Sequence, residues 1–438
     1  MSSRRHRLAV ALATSTAMVS IVAAVACGVD LEGTAGDGGT DDGSSGDGTA
    51  GDGGAGGDAG PDAARLPDCG ASPQILEISA GGDHTCALVD GGCVYCWGSN
   101  ADGELGADSG GRPAPPTLVP FVYGATHVAA GGTFGSPPQF SCATLDTGAV
   151  QCWGSNEYGQ LGKGTTAAAS PPYLWQPDAG KALEISLGYI HGCARFEAGV
   201  LCWGGNDVGQ LGRDSITTPG APAPISGNPD IVLLGSAEGV DHTCSVNAGI
   251  GSNLLCWGNN DAKQADPVTG SAPILTPVTR SNPADVSQVS SGNKFSCAVL
   301  NDGGTSCWGL NTSGQLGRPA AGGGQPPGAV KYPSAQTTDQ IAAGLTHACS
   351  KVDDGGVWCW GSDIKGQGGQ PGALSQQRPA MVPLAQAALT VTAGTAHTCA
   401  LMIDHTVQCW GDNSFMQLGN GITDGATTSY MPVTVALP

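Results

Sequence analysis

The sequence predicts an all-β fold, a seven-bladed β-propeller of four-stranded antiparallel blades, and three observations predict it. A phrase of the form Cys…Cys-Trp-Gly occurs seven times, with its tryptophan at Trp97, Trp153, Trp203, Trp257, Trp308, Trp360 and Trp410. The spacings are 56, 50, 54, 51, 52 and 50 residues, the period of one supersecondary unit repeated. Glycine, at 72 of 438 residues, is about twice its ordinary share, which suits short strands joined by tight turns and disfavours helix.

Taken in chain order, residues 1–26 read as a signal peptide. Arg4, Arg5 and Arg7 precede an apolar run from Leu8 that ends at Ala24-Val25-Ala26-Cys27. A cysteine directly after small residues makes Cys27 a lipid acceptor; the same Ala-x-Ala fits plain secretion, and an uncleaved anchor is a third reading. Each of these exports the remainder, to the outer membrane or cell surface as a lipoprotein or into the medium. Residues 27–67, as in GDGGTDDGSSGDGTAGDGG, hold almost nothing apolar to bury and predict a disordered acidic linker. No later stretch is long and apolar enough to span a bilayer, so membrane contact is expected through the lipid alone.

The propeller is expected over residues 68–438. Each unit reads as a proline-flanked strand such as RPAMVPL, a strand of small residues such as THVAAGG, a Cys-led strand, a Gly turn and a strand ending in Cys-Trp-Gly. In that frame the first unit starts at ILEISAGG, from Ile75, without its proline-flanked strand, and MPVTVALP, Met431 to Pro438, is surplus. The C-terminal strand is therefore expected to pair into the first blade and close the ring, which would hide the sheet edges.

The phrase HTCAL…DG.V.CWG.N..GQLG, recurring at that period, resembles the regulator of chromosome condensation repeat family, a seven-bladed β-propeller. The resemblance covers residues 74 to 438. It implies a closed ring and a platform for partners, since members include a nuclear guanine-nucleotide exchange factor and a bacterial inhibitor of β-lactamases. Two copies depart from the pattern: the fourth reads NNDAKQAD after its Trp-Gly, and the sixth has Gly368 where Leu is usual. Those blades are expected to be less regular on that side.

Of the 17 cysteines, Cys27 stands apart and fourteen flank short turns, which contain Gly in six of the seven copies. They pair as Cys86 with Cys96, Cys142 with Cys152, Cys193 with Cys202, Cys244 with Cys256, Cys297 with Cys307, Cys349 with Cys359, and Cys399 with Cys409. Opposed positions across a hairpin bring Cβ atoms within disulfide reach, and closing so short a loop is worth at most about 3 kcal/mol. Cys69 and Cys93 remain and are paired with each other. Cys93-Val94-Tyr95-Cys96 also spells a redox or zinc motif, but it lies on a strand whose cysteines already have partners.

With 37 acidic against 17 basic side chains, the chain would repel phosphate backbones, which argues against nucleic acid. His84, His191, His242, His347 and His397 share one repeat position, which Phe140 and Phe295 occupy in two copies. Phe cannot ligate a metal, so packing with a hydrogen bond to the next blade is the expected role, and no metal or cofactor is expected. No nucleophile elbow, zincin helix or phosphate loop occurs, and no catalytic residue is assigned. Four antiparallel strands per blade send the longer loops to the face opposite the tether. GGTFGSPPQFSC is an insertion there, and Phe134, Tyr158, Tyr189 and Phe415 fall in its loops, as interface anchors would. The expectation is a monomeric module binding a protein or glycan through the membrane-distal face. The alternatives are an inhibitor of a secreted enzyme on the same face, or an envelope-polysaccharide enzyme with its site at the channel.

Overall fold

The computed structural model describes residues 69–438, apart from 71–72, 134–135, 168, 228, 238–240, 249–252, 269, 373–374 and 422–427. Cys27, the signal peptide and the linker lie outside the described residues. The rest is seven sheets, each with four antiparallel strands that pair in chain order, innermost to outermost, one sheet carrying a short fifth strand in addition. Blade 1 is Ile75–Ala80, His84–Val89, Cys93–Gly98 and Ala114–Leu118; blade 7 is Ala388–Ala393, His397–Met402, Val407–Asp412 and Thr428–Thr434.

The expected closure is corrected by this order. Met431–Pro438 does not complete blade 1: its strand pairs within blade 7, Gln408 opposite Thr434 and Cys409 opposite Val433. Blade 1 is complete without it. The repeat begins with the small-residue strand and ends with the proline-containing one, one strand later than the frame the sequence suggests. Proline explains the order, because a residue without an N–H suits the edge of a sheet. All seven outermost strands carry one, from APPTL at Ala114–Leu118 to TSYMPVT at Thr428–Thr434.

The ring closes by packing instead of strand exchange. Trp97 of blade 1 sits among Leu401, Leu418 and Val435 of blade 7. Its indole N–H donates to the Gln417 carbonyl at 3.0 Å, and the Ala80 amide donates to Thr392 Oγ1 at 3.1 Å. Every repeat tryptophan does the same to the blade before it. Trp153, Trp203, Trp257, Trp308, Trp360 and Trp410 donate to the carbonyls of Glu104, Gln160, Gln210, Gln264, Gln315 and Gln367 at 2.7–3.0 Å. The core therefore lies between blades, with all seven indoles essentially buried.

The repeat histidines are a second set of staples. His84, His191, His242, His347 and His397 reach Ser141, Thr243, Ser296, Thr398 and Thr85 of the next blade at 2.7–2.9 Å through Nε2. Each of those hydroxyls donates onward to a Gln or Glu104 carbonyl. For His191, His242, His347 and His397 the hydroxyl proton is thus committed, and Nε2 is the N–H donor. His84 also sets Nδ1 against Gln139 Oε1, an acceptor, at 3.2 Å, so the same assignment does not extend to it. Where Phe140 and Phe295 replace histidine, the next blade has Gly192 and Ala348 at the hydroxyl position.

Eight disulfides lock the hairpins. Seven join directly opposed residues of the second and third strands, with Cα atoms 4.0–4.1 Å apart: Cys86–Cys96, Cys142–Cys152, Cys193–Cys202, Cys244–Cys256, Cys297–Cys307, Cys349–Cys359 and Cys399–Cys409. The eighth, Cys69–Cys93, spans 5.9 Å and ties the chain's entry to blade 1.

Candidate functional site

Strand direction sorts the connections onto two faces. The short loop after each first strand and the long loop after each third strand leave on one face; the hairpin turns and blade-to-blade links leave on the other. Side chains of the repeat build the long loops. In blade 2, Asn156 Oδ1 accepts the Leu161 amide at 3.0 Å, and Gln160 Oε1 accepts the Tyr158 amide at 2.8 Å. Tyr158 is therefore presented from a fixed turn. Phe415 is held identically in blade 7, its amide donating to Gln417 Oε1 at 2.8 Å.

The predicted aromatics divide. Tyr158, on the long loop of blade 2, and Tyr189, on the short loop of blade 3, are both half-buried and near enough for the field of Tyr158 to act on the Tyr189 hydroxyl. Phe415 sits beyond blade 1, and Phe134 lies outside the described residues. The insertion that carries Phe134 is an extension of the inner hairpin of blade 2, with Ala125–Thr133 pairing on Ser136–Leu145. It is anchored on blade 1, where the Gln139 amide donates to Asp102 Oδ2 at 2.8 Å and the Asp83 amide donates to Gln139 Oε1 at 2.8 Å.

Carboxylates surround the tyrosine pair. Burial raises the Tyr189 hydroxyl above its usual range, and the fields of Tyr158, Asp241 and Glu157 push the same way. Burial likewise raises Asp241, reinforced by Asp261 and Asp207 and opposed by Lys294. Asp102 is raised first by burial, with Glu104 and Glu157 adding to it against the Gln139 amide. Glu104, also raised by burial, stands where the other six repeats have Gln. Lys294, bonded to Asp261 at 2.6 Å, is a cation facing this patch. Blades 1 to 4 thus present an electronegative arc around two tyrosines, carboxylates that sequence reading left among the turns because no single copy repeats them.

The channel is built differently. Its cavity, about 190 Å³, is lined by the innermost strands, whose polar groups are spent on holding blades together. Gln288 Oε1 accepts the Ile341 amide at 2.8 Å, Gln340 Oε1 the Val391 amide at 2.9 Å, and Ser186 Oγ donates to the Gly235 carbonyl at 2.7 Å. At the turn-face end His127 meets Glu77 at 3.3 Å and Arg195 meets Glu184 at 3.1 Å. The hydrogen bond to Glu77 raises His127, while burial raises Glu184. Among the described residues, no aromatic side chain lines this cavity. A two-residue strand, Ser236–Ala237, pairs in parallel with Val286–Gly292 of blade 5 at the loop-face end. Blade 4 has two more residues between Ile231 and Cys244 than blade 1 has between Ile75 and Cys86, a signal the sequence reading passed over. Among the described residues, no group of three or more His, Cys, Asp or Glu is placed to hold a metal ion.

The Regulator of chromosome condensation (RCC1) repeat matches residues 75–104, 125–160, 286–315, 339–367 and 389–417, and a second profile of that repeat matches 91–135. The chain carries repeats of the regulator of chromosome condensation (RCC1) family. Residues 161–285 fall between the matches, the region where Lys263, Ala265 and Asp266 depart from Gly, Leu and Gly. The chain is 29% identical over 368 residues to the ultraviolet-B receptor UVR8 of Arabidopsis thaliana, spanning 70% of this chain and 82% of that protein. It is 26% identical over 311 residues to the E3 ubiquitin-protein ligase HERC2 of Mus musculus, of which it spans 5%. Among solved structures, yeast RCC1 (Prp20) bound to Kap60 superposes with a TM-score of 0.68 at 21% identity, covering 83% of this chain and 84% of that one. Human WBSCR16 gives 0.67 at 22%, covering 75% and 87%. At these identities the repeat's fold is what is shared.

Proposed function

We propose that the protein is an exported, lipid-anchored interaction module whose loop face binds a protein with a basic surface. The observation that carries this reading is the placement of Tyr158 and Tyr189 inside the carboxylate arc of blades 1 to 4. Half-buried tyrosines on fixed turns offer large contact area at low entropic cost, and a one-signed field steers and selects an oppositely charged partner. The channel, by contrast, has its polar groups engaged between blades, which favours binding over catalysis. Yeast Prp20, a protein of this fold, has binding properties to Gsp1p and histones, and the same kind of role is proposed here for an exported relative.

Export is supported by the eight disulfides, which need an oxidising compartment, and by the leader ending at Cys27. A diacylglyceryl mass on the mature N-terminal Cys27, lost in Cys27→Ser, is the expected result; an unmodified N-terminus would leave a secreted module. For the loop face, an oxidised fragment of residues 67–438 should retain its partner from the envelope fraction in low salt and release it as salt rises. Tyr158→Ala with Tyr189→Ala should lower the affinity at least about tenfold. Equal capture by the double variant would move the contact off this face; capture of a glycan alone would replace the protein partner.

A further inference from the structure

The rim between blades 5 and 6 holds a cavity of about 580 Å³, within the ~300–1,000 Å³ typical of small-molecule sites. Three of the chain's 17 basic side chains line it, Arg318, Lys331 and Arg378, and among the described residues no carboxylate does. Arg318 follows the long loop of blade 5, Lys331 lies in the link to blade 6, and Arg378 is on the outermost strand of blade 6, Ser375–Met381. In a chain with net charge −20 such a lining is unexpected. Arg195, Arg280, Lys294, Lys351 and Lys365 each have a carboxylate partner, whereas among the described residues these three have none.

The equivalent of Arg318 in blade 3 shows what a purely structural arginine does there. Arg213 donates to the carbonyls of Cys202, Ala221 and Ala223 and so clasps its outer strand. Arg318 has one such bond among the described residues, to Pro326 at 2.7 Å, and a guanidinium has five N–H donors. Burial without a counter-charge also draws the Arg318 guanidinium below its usual range. The remaining walls are apolar: Tyr332, Pro319 and Pro333, over Gly317. Tyr332 is fixed by Trp358 and Trp360, edge-on at 6.0 and 6.3 Å, and by its hydroxyl bond to Ser350 at 2.8 Å.

We propose that this cavity binds an anionic sugar, its carboxylate or phosphate held by Arg318, Lys331 and Arg378 and its ring laid against Tyr332 and the prolines. The site is separate from the loop face and independent of the reading given for it. Calorimetric titration of the oxidised protein with glucuronate and glucose 6-phosphate should show saturable binding, with glucose bound at least about tenfold more weakly. Lys331→Glu with Arg378→Glu, both exposed, should lose at least about tenfold in affinity at an unchanged melting temperature. Absence of saturable binding of either sugar, or undiminished binding by the double variant, would overturn the proposal. Inorganic phosphate binding as tightly as glucose 6-phosphate would overturn the sugar part of it.

Discussion

Asp363 is where one atom decides a loop. In the long loops an asparagine serves both sides of the turn: Asn100 Oδ1 accepts the Leu105 amide at 3.0 Å while its Nδ2 donates to the Ala107 carbonyl at 2.9 Å. Asn156 repeats this, with its Nδ2 reaching the Thr165 carbonyl at 2.9 Å. Asp363 of blade 6 keeps the accepting half, taking the Gly368 amide at 2.7 Å, but as a carboxylate it cannot donate. Burial raises its pKa to about 6 against the amides of Gly368 and Gln370, which lower it. A carboxyl raised on folding stabilises most when protonated, so its contribution is full below pH ~4 and is lost as pH climbs through ~6. Asp363→Asn should then be more stable than the parent at pH 7 by up to ~3 kcal/mol, because each tenfold change in proton affinity is worth about 1.36 kcal/mol. Most of that gain should be gone at pH 4. Denaturant unfolding at the two pH values measures it; a gain independent of pH would contradict the assignment. The asparagine consensus was readable from the repeats, but the buried charge at its one exception needed coordinates, because burial is set by the neighbouring loop.

At the level of strands and hairpins, the sequence is most legible where an element is stabilised by its own residues. Cysteine spacing and turn glycines give the hairpin partners, because opposition across a short turn is local geometry. Strand membership of the proline segments is not local. Nothing in MPVTVALP says whether it opens a unit or closes one, and only the edge preference of proline, weighed over all seven copies, places it outermost. Blade 4 shows the opposite limit. Its loop has Lys263 and Ala265 where blade 2 has Gly159 and Leu161, and irregularity was expected. Lys263 nevertheless adopts the left-handed turn, φ 64°, at a cost of about 1–2 kcal/mol for a side chain there. Asp266, in the following glycine position, is held by Arg280 at 2.8 Å in a nearly buried pair. The turn survives because Asn260 still accepts the amides of Ala265 and Asp266 at 3.1 and 2.7 Å. The insertion before His242 carries no such signature, and its pairing with blade 5 depends on where the ring brings that strand. The tyrosine and carboxylate arc was half legible: Tyr158 and Tyr189 by residue type, their acidic surroundings only once four blades stand side by side.

For the whole molecule, the seam between blades 7 and 1 is the contact that makes an array into a ring, and His397 with Thr85 tests it. They are 312 residues apart in sequence and 2.9 Å apart in space. Five blades use a histidine with a Ser or Thr in the next blade; two use Phe with Gly192 or Ala348. The two solutions are alternatives of volume and polarity, and mixing them should fail. His397→Phe alone crowds Thr85 and removes its donor, which should cost about 1–3 kcal/mol. Adding Thr85→Ala recreates the blade 5 to blade 6 pairing and should recover much of that loss, giving a coupling that only adjacent residues show. Burial also lowers the histidines, His84 and His191 to about 4 and His242, His347 and His397 to about 3. A histidine depressed on folding contributes stability that is present above its ordinary pKa of ~6.5 and is lost as pH falls toward the folded value. The ring should therefore unfold in acid with uptake of several protons, in the direction opposite to the effect of Asp363, and the double variant should take up one proton fewer than the parent between pH 6 and 4. Denaturant unfolding of the parent, both single variants and the double variant across that range yields the coupling and the proton count together. Additive effects with an unchanged count would mean that blades 7 and 1 do not meet at His397, and the closed wheel would have to be abandoned for an open arc.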